Sequence, residues 1–347
     1  MAEPEPTPRA TLPDPTIDIA VLNNQIGRAW GVSCAESIPQ LLAWCEQAGI
    51  FAALAREPMP TAELAARTPL SDSGLAALLP ILASLGLTRR AADGALRLTP
   101  LAREYLLAGS PYYVGTGLYW DCHEPIPSHY LAEPGAAAPP PAPRWPAAVR
   151  VAVPHSRNFA PSVAAARSGA FDRVRHLVDV GGGSGVFAIP MALDHPDAHV
   201  TLVDLPDAIP AARDSLAKYG LADRIALVGM DMFRDEWSFG FCDGMFFGNV
   251  FHASGDDACR ALAQNCFASL APGGIVGVHE VVFDDGKDGP LLAALWNANM
   301  IARRREARQR TVAEIVALLE SAGFGDCLAM PTAGEFWLVT GTKPDEQ

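Results

Sequence analysis

The chain has 347 residues, half of them hydrophobic, enough for two domains or for one large domain with a smaller companion. Its 39 acidic residues outweigh 26 basic ones, a formal charge of -13 that argues against nucleic acid or an anionic membrane as the main partner. The seven cysteines are scattered, odd in number and without a CxxC pair, so they read as reduced thiols of a cytoplasmic protein, with no disulfide frame and no metal site. No apolar run reaches the ~18 residues of a membrane span, and the acidic, proline-rich start is unlike a signal peptide.

Residues 1–16, with Pro4, Pro6, Pro8, Pro13 and Pro15, read as a disordered tail. Over 17–120 the spacing predicts a small helical domain. Ile38, Leu41, Leu42, Cys45, Phe51 and Leu54 recur at nearly helical intervals, predicting a helix over 33–56. Thr61 is placed to cap a short helix through Ala66, and Ser71 a second one closed by Gly86. Leu87–Arg90 and Ala95–Leu98 flank Asp93-Gly94, the signature of a hairpin. Helices followed by a hairpin make a winged helix. The helix before the wing carries neither Lys nor Arg, so it offers nothing to phosphates, and the module reads as a packing or dimerisation domain. A nucleoside-sensing winged-helix regulator is the alternative from another class.

Eight prolines between 121 and 146 mark a linker or lid over 121–160. From 161 to 347 strands and helices alternate. Strands are predicted at 176–180, 199–203, 225–228, 245–250 and 275–282, with helices at 184–193, 208–218, 256–270, 291–301 and 312–322. This pattern predicts an α/β domain with a doubly wound, mostly parallel sheet covered on both faces. The last two strands, 327–330 and 335–340, are too close for a crossover helix and should pair antiparallel at one edge.

The sharpest signal is Leu177-Val178-Asp179-Val180-Gly181-Gly182-Gly183-Ser184-Gly185, where a strand ends in glycines and a helix follows. In α/β sheets that is where nucleosides bind. The dinucleotide fingerprint needs a small residue where Val186 stands, and Asp179 is awkward beside a pyrophosphate. S-adenosyl-L-methionine (SAM), a cation without phosphate, fits the loop better. Asp204 lies 23 residues past Gly181, close to the offset of a ribose-binding acid. Asp231 can accept from an adenine amino group, with Met232 packing on the ring.

On these motifs the chain resembles the caffeic-acid and acetylserotonin-type O-methyltransferases, including bacterial relatives that modify antibiotics and other secondary metabolites. The resemblance runs from about Ile17 to Lys343. It implies a class I methyltransferase fold with an antiparallel last strand, an N-terminal winged-helix dimerisation domain, a homodimer and SAM as cofactor. The cofactor set is then Asp179, Gly181, Gly183, Asp204, Leu205, Asp231, Met232, Phe233 and Asn249. In Phe251-His252-Ala253-Ser254 the family's general-base histidine falls on His252, and its following catalytic acid on Glu280. Ala253 and Ser254 replace an Asp-Trp pair, and Gln309 stands where many relatives carry a second catalytic glutamate.

Methyl transfer to a phenol needs alignment and the removal of one proton, which an imidazole performs at neutral pH. His252 follows the fourth strand of the sheet, and Glu280 ends the adjacent fifth, placed to fix the tautomer. His155, Trp296, Asn299 and Met300 are the candidates for lining the acceptor pocket, while the arginines at 303–305, 308 and 310 read as a solvated face. The expected activity is methyl transfer to a hydroxyl of a small aromatic metabolite. Carbon or nitrogen methylation, or a non-methylating hydroxylation, decarboxylation or cyclisation, is the alternative.

Overall fold

The structure, a computed structural model, describes residues 37–115, 147–303 and 306–345. The predicted tail at 1–16 and the proline-rich segment 121–146 lie outside these residues. The chain divides into two units, one built from 37–115 with 152–160, the other from 147–151 and the described residues from 161 onward.

In the first unit, the helix expected over 33–56 is two helices, α1 (Ser37–Gln47) and α2 (Ile50–Arg56), separated by Gly49 at a φ of 80°. A left-handed residue ends a helix, and only glycine adopts it without cost. Thr61 opens α3 (Thr61–Arg67) without capping it, because the N-cap position belongs to Pro60. Ser71 does cap α4 (Asp72–Ser84), its hydroxyl accepting from the Gly74 N–H. The hairpin pairs β1 (Thr88–Arg90) antiparallel with β2 (Leu96–Leu98), and Met59 bridges to Leu96 as a further rung. α5 (Pro100–Tyr105) follows. Leu42, Ile50, Leu54, Met59, Leu64, Leu75 and Leu87 are all buried and form the core of this winged helix. Trp44 on α1 is the large apolar side chain that the described part of this unit leaves exposed.

Residues 147–160 differ from the expected linker, since α6 (Ala147–Ala166) is a 20-residue helix that contributes to both units. Its Ala- and Val-rich sequence forms a helix despite Pro154 and Pro161, two losses of a backbone donor that tertiary packing tolerates.

The second unit holds a seven-stranded sheet in the order β5-β4-β3-β6-β7-β9-β8. Its strands are β3 (His176–Val180), β4 (His199–Asp204), β5 (Ile225–Gly229), β6 (Gly244–Gly248), β7 (Ile275–Val281), β8 (Gly325–Pro331) and β9 (Phe336–Thr342). Strands β3 to β7 pair parallel, whereas β9 runs antiparallel to both β7 and β8. The helices are α7 (Ala188–Asp194), α8 (Ile209–Ala217), α9 (Asp256–Ser269), α10 (Leu291–Arg303) and α11 (Val312–Ser321). β3 and β6 are buried almost throughout, as expected for strands covered on both faces. Because the chain leaves β3 in one direction across the sheet and returns to place β6 on its other side, the order reverses between their ends. That reversal opens a crevice at the carboxyl edge of the sheet.

Two boundaries moved for local reasons. Helix α7 begins at Ala188, four residues later than predicted, because Gly181, Gly183 and Gly185 hold φ values of 72°, 55° and 82°. Strand β6 stops at Gly248 because Asn249 turns left-handed at a φ of 56°, a conformation asparagine tolerates.

Candidate active site

The glycine loop fills the crevice edge between β3 and α7. The Gly181 and Gly182 N–H groups both donate to the Val203 carbonyl, at 2.8 and 3.1 Å, tying the loop to β4. Gly183 N–H donates to Asp204 Oδ2 at 2.8 Å, and Leu205 N–H to Oδ1 at 2.7 Å. A Cβ on Gly181 would lie 2.8 Å from Val250 Cγ2 and 3.3 Å from Met232 Cε, so no side chain fits there. Asp179 lies beneath the loop, buried, where its Oδ2 accepts the Ala188 N–H at 3.2 Å at the start of α7. Burial pushes its carboxyl up to about 7, against the backbone hydrogen bond and with help from the Asp204 charge.

Around the loop stand the other predicted residues. Asp204 ends β4, and Leu205 behind it is exposed. Asp231 follows β5, accepts the Phe233 N–H at 3.0 Å and lies 3.6 Å from the Arg234 guanidinium. Phe233 is exposed, whereas Met232 packs against the core. Asn249 donates its N–H to the His279 carbonyl at 3.0 Å, extending the ladder between β6 and β7 by one residue. These positions give a carboxylate for hydroxyl donors, exposed apolar side chains for a flat ring, and a glycine cradle open to a ligand. The set fits SAM, which combines a ribose, an adenine and a cationic sulfonium.

The short turn after β6 carries His252, which is buried. Its Nδ1 meets Glu280 Oε2 at 2.7 Å, while Glu280 Oε1 accepts the N–H groups of Phe251 at 2.8 Å and His252 at 3.3 Å. Glu280 is itself 2 % exposed and accepts two backbone N–H groups, and an ionised carboxylate, which only accepts, pairs with Nδ1 in the tautomer that carries its proton there. The lone pair is left on Nε2, which hydrogen-bonds no described residue. The Trp296 ring of α10 meets the imidazole edge to face at 5.7 Å. Met300 is half-buried on the same helix, and Asn299 lies between them in sequence. His155 belongs to the other unit and stacks on Phe159 with ring centroids 4.8 Å apart.

Two of the arginines expected on a solvated face, Arg308 and Arg310, are instead structural at this site, while the side chains at 303–305 lie outside those described. Arg310 is 2 % exposed and donates to the Phe251 carbonyl at 2.7 Å, the Ser254 carbonyl at 2.9 Å and Asp256 Oδ1 at 2.8 Å. Arg308 shares Asp256 through a second fork, and its own N–H donates to the His252 carbonyl at 3.0 Å. Burial raises the Asp256 carboxyl, but the two guanidiniums outweigh it and hold the group below the usual carboxylate range. Gln309, between them, is buried, with its N–H on Asn297 Oδ1 at 2.9 Å and its Nε2 without a partner among the described residues. Arg308 and Arg310, two apart in an extended segment, were the available signal. Their partner more than 50 residues earlier was not visible.

His279 precedes Glu280 but faces the other way, where Nε2 meets Thr332 Oγ1 at 2.8 Å and the ring stacks on Phe336. Burial pulls it down to about 3, and it takes no part in this site. Among the described residues no helix is long and apolar enough to cross a membrane.

A crevice at the reversal point, a glycine loop under an acidic strand end and a carboxylate-held histidine beside them together define a SAM-dependent methyltransferase of the doubly wound class. Residues 157–325 match the O-methyltransferase domain, and residues 30–108 the O-methyltransferase dimerisation domain. The chain is 32% identical over 302 residues to acetylserotonin O-methyltransferase of Mus musculus molossinus, covering 79% of this chain and 77% of that protein. It is 29% identical over 327 residues to 3-hydroxy-5-methyl-1-naphthoate 3-O-methyltransferase of Streptomyces sahachiroi, covering 88% of this chain and 91% of the relative. The fold matches the crystal structure of human N-acetylserotonin methyltransferase in complex with SAM, with a TM-score of 0.73, 24% identity and coverage of 90% and 95%. The chain belongs to this O-methyltransferase family, and it is a SAM-dependent enzyme that carries the family's dimerisation domain.

Proposed function

We propose that this enzyme methylates a hydroxyl of a small aromatic metabolite, with His252 as general base and Glu280 as the residue that fixes its tautomer. The observation that carries the reading is the buried His252–Glu280 pair, which leaves Nε2 as the proton acceptor beside an aromatic side chain. When bound, SAM would supply an electrophilic methyl group on a sulfonium, with the thioether of S-adenosylhomocysteine as the leaving group. Gly181, Gly183, Asp204, Leu205, Asp231, Met232, Phe233 and Asn249 hold it, with Asp179 supporting the loop from below. His252 Nε2 takes the hydroxyl proton, and Glu280 stabilises the resulting imidazolium through Nδ1–H. Trp296 and Met300 offer flat and flexible apolar surface to an aromatic ring. The names of the two relatives, which act on a hydroxynaphthoate and on acetylserotonin, support an aromatic hydroxyl as acceptor.

The protein works as a homodimer through its winged-helix unit, where exposed Trp44 supplies apolar surface for a second copy. The test uses methyl-labelled SAM with a panel of hydroxynaphthoates and phenols, reading products by mass spectrometry for wild type and His252→Ala. A labelled ether that falls at least about 100-fold with the variant agrees with the proposal. Label transfer within a few-fold of wild type removes His252 from the role of base.

A further inference from the structure

We propose that Asp256 is a positioning residue for the reaction: by gathering Arg308 and Arg310 it fixes the backbone of the turn that carries His252, and so aims the imidazole at the acceptor hydroxyl. The inference rests on His252 being the base and adds the group that keeps that base in place. The turn is a single 3-10 helix, Phe251–Ala253, whose own hydrogen bonds run from the Ala253 N–H to the Val250 carbonyl at 3.1 Å and from the Ser254 N–H to the Phe251 carbonyl at 3.2 Å. So short and tight a turn needs support from outside. Glu280 supplies it on the donor side, through the Phe251 and His252 N–H groups. The acceptor side hangs on the segment 308–310. Arg310 Nη1 donates to the Phe251 carbonyl, the Arg308 N–H to the His252 carbonyl and Arg310 Nη2 to the Ser254 carbonyl.

Asp256 opens α9 just past the turn, and its carboxylate joins that end of the turn to the same segment. Oδ1 accepts Arg310 Nη2 at 2.8 Å, Arg310 Nε at 3.2 Å and Arg308 Nε at 3.1 Å, while Oδ2 accepts Arg308 Nη2. One carboxylate thus holds two guanidiniums together, and the Arg310 side chain among them is buried. Without Asp256 these like charges repel, and a buried charge that has lost its partner turns outward or draws water in. Either change releases the Phe251 and Ser254 carbonyls. The segment itself is anchored elsewhere, by the Gln309 N–H on Asn297 and by the Phe283 N–H on the Arg310 carbonyl at 2.9 Å, so what loosens is the turn. A base must lie within hydrogen-bond reach of the proton it removes, and a misplacement of about 1 Å costs about 10²-fold.

The test compares 2-naphthol, protonated at neutral pH as phenols are, with 1-nitro-2-naphthol, which its nitro group leaves ionised there. kcat and KM for label transfer are measured for wild type, Asp256→Asn, Arg308→Gln and His252→Ala. S-adenosylhomocysteine affinity and amide exchange of the peptide spanning 250–255 are followed in the same proteins. Asparagine fits the site, since the Asp256 side chain is 40 % exposed. Asp256→Asn should lower kcat for 2-naphthol by about 30- to 100-fold, leave the nitro compound within about three-fold and quicken exchange over 250–255 at least about ten-fold. Cofactor affinity should hold. Arg308→Gln removes one fork from a half-exposed position, so it should show the same pattern at about five-fold, and it decides the matter if Asp256→Asn fails to fold. Equal losses for the two acceptors mark a merely structural role and overturn the inference, as does unchanged exchange. If neither compound accepts label, exchange decides alone, a quickening confined to 250–255 keeping Asp256 in its role and unchanged rates removing it. If His252→Ala spares 2-naphthol, the base reading fails and takes this role with it. If His252→Ala abolishes transfer that Asp256→Asn preserves, Asp256 alone is overturned.

Discussion

Replacing Glu280 with glutamine keeps the shape of the site while altering one hydrogen-bond direction. The carboxylate accepts from two backbone N–H groups through Oε1 and from His252 Nδ1 through Oε2. An amide has one acceptor oxygen and one donor nitrogen. Turned so that its nitrogen faces Phe251 and His252, it opposes two donors. Turned so that its nitrogen faces Nδ1, it opposes one, and that conflict vanishes if the imidazole moves its proton to Nε2. The second arrangement is therefore favoured, by an amount comparable to one hydrogen bond of a charged group, about 1.5–3 kcal/mol. It places a proton where the lone pair is needed, and the imidazolium also loses its counter-charge. Together these lower kcat by about 10² to 10⁴-fold, the upper figure matching the analogous Asp-to-Asn change in Ser-His-Asp hydrolases. The assay is single-turnover transfer from methyl-labelled SAM to a hydroxynaphthoate, with S-adenosylhomocysteine affinity measured to confirm an intact cofactor site. A nitro-substituted acceptor, already ionised at the assay pH, should lose about ten-fold or less, because it needs no base. The reasoning is refuted if Glu280→Gln turns over within three-fold of wild type, or if both acceptors lose equally.

Other consequences can be measured separately. Arg310→Lys retains charge but cannot reach the Phe251 carbonyl, the Ser254 carbonyl and Asp256 as one planar fork. It should cost about 2–3 kcal/mol in denaturant unfolding with a fall in kcat, and a loss below 0.5 kcal/mol would contradict the buried network. Asp179 has a folded-state pKa of about 7, above its ordinary value. Its neutral form is thus favoured in the folded protein, and the stability it allows at low pH is lost as the pH rises from about 4 to about 7. In thermal melts without cofactor, Asp179→Asn should match wild type near pH 4, gain over it up to pH 7 and hold that gain above, whereas parallel curves would argue against a buried acid. Gly181→Ala forces a Cβ into Val250 at 2.8 Å as well as a left-handed alanine, while Gly183→Ala meets open space and bears only the backbone cost of about 1 kcal/mol. Chemical denaturation should therefore rank Gly181→Ala well below Gly183→Ala, and equal losses would show that Val250 yields.

Much of this was legible in the residues. The apolar run at His176–Val180 followed by glycines fixed both β3 and the crevice, since parallel strands and tight turns leave strong local signals. Asp204 was found because it ends a strand, where a position in sequence is also a position at the sheet edge, whereas Glu280, one residue before the end of β7, was reached through the family resemblance. The misses share a cause. Helix α6 hid behind its prolines, whose local penalty is overridden by packing that no window of sequence contains. Arg308 and Arg310 looked like surface charge because their partner, Asp256, opens a helix more than 50 residues earlier. The unsatisfied amide of Gln309 is equally invisible in sequence, since burial and a missing acceptor exist only in three dimensions.

The tether from Arg310 to the His252 turn also sets when the enzyme can become active. The guanidinium reaches the Phe251 carbonyl from 59 residues further along the chain, and the Arg308 N–H closes on His252 from nearly as far. Such long-range closures carry a loop-closure cost. During synthesis the residues proposed to hold the cofactor emerge while the histidine's turn still lacks its clamp. Turnover on refolding therefore reports closure of this clamp, which measuring cofactor affinity alone would not.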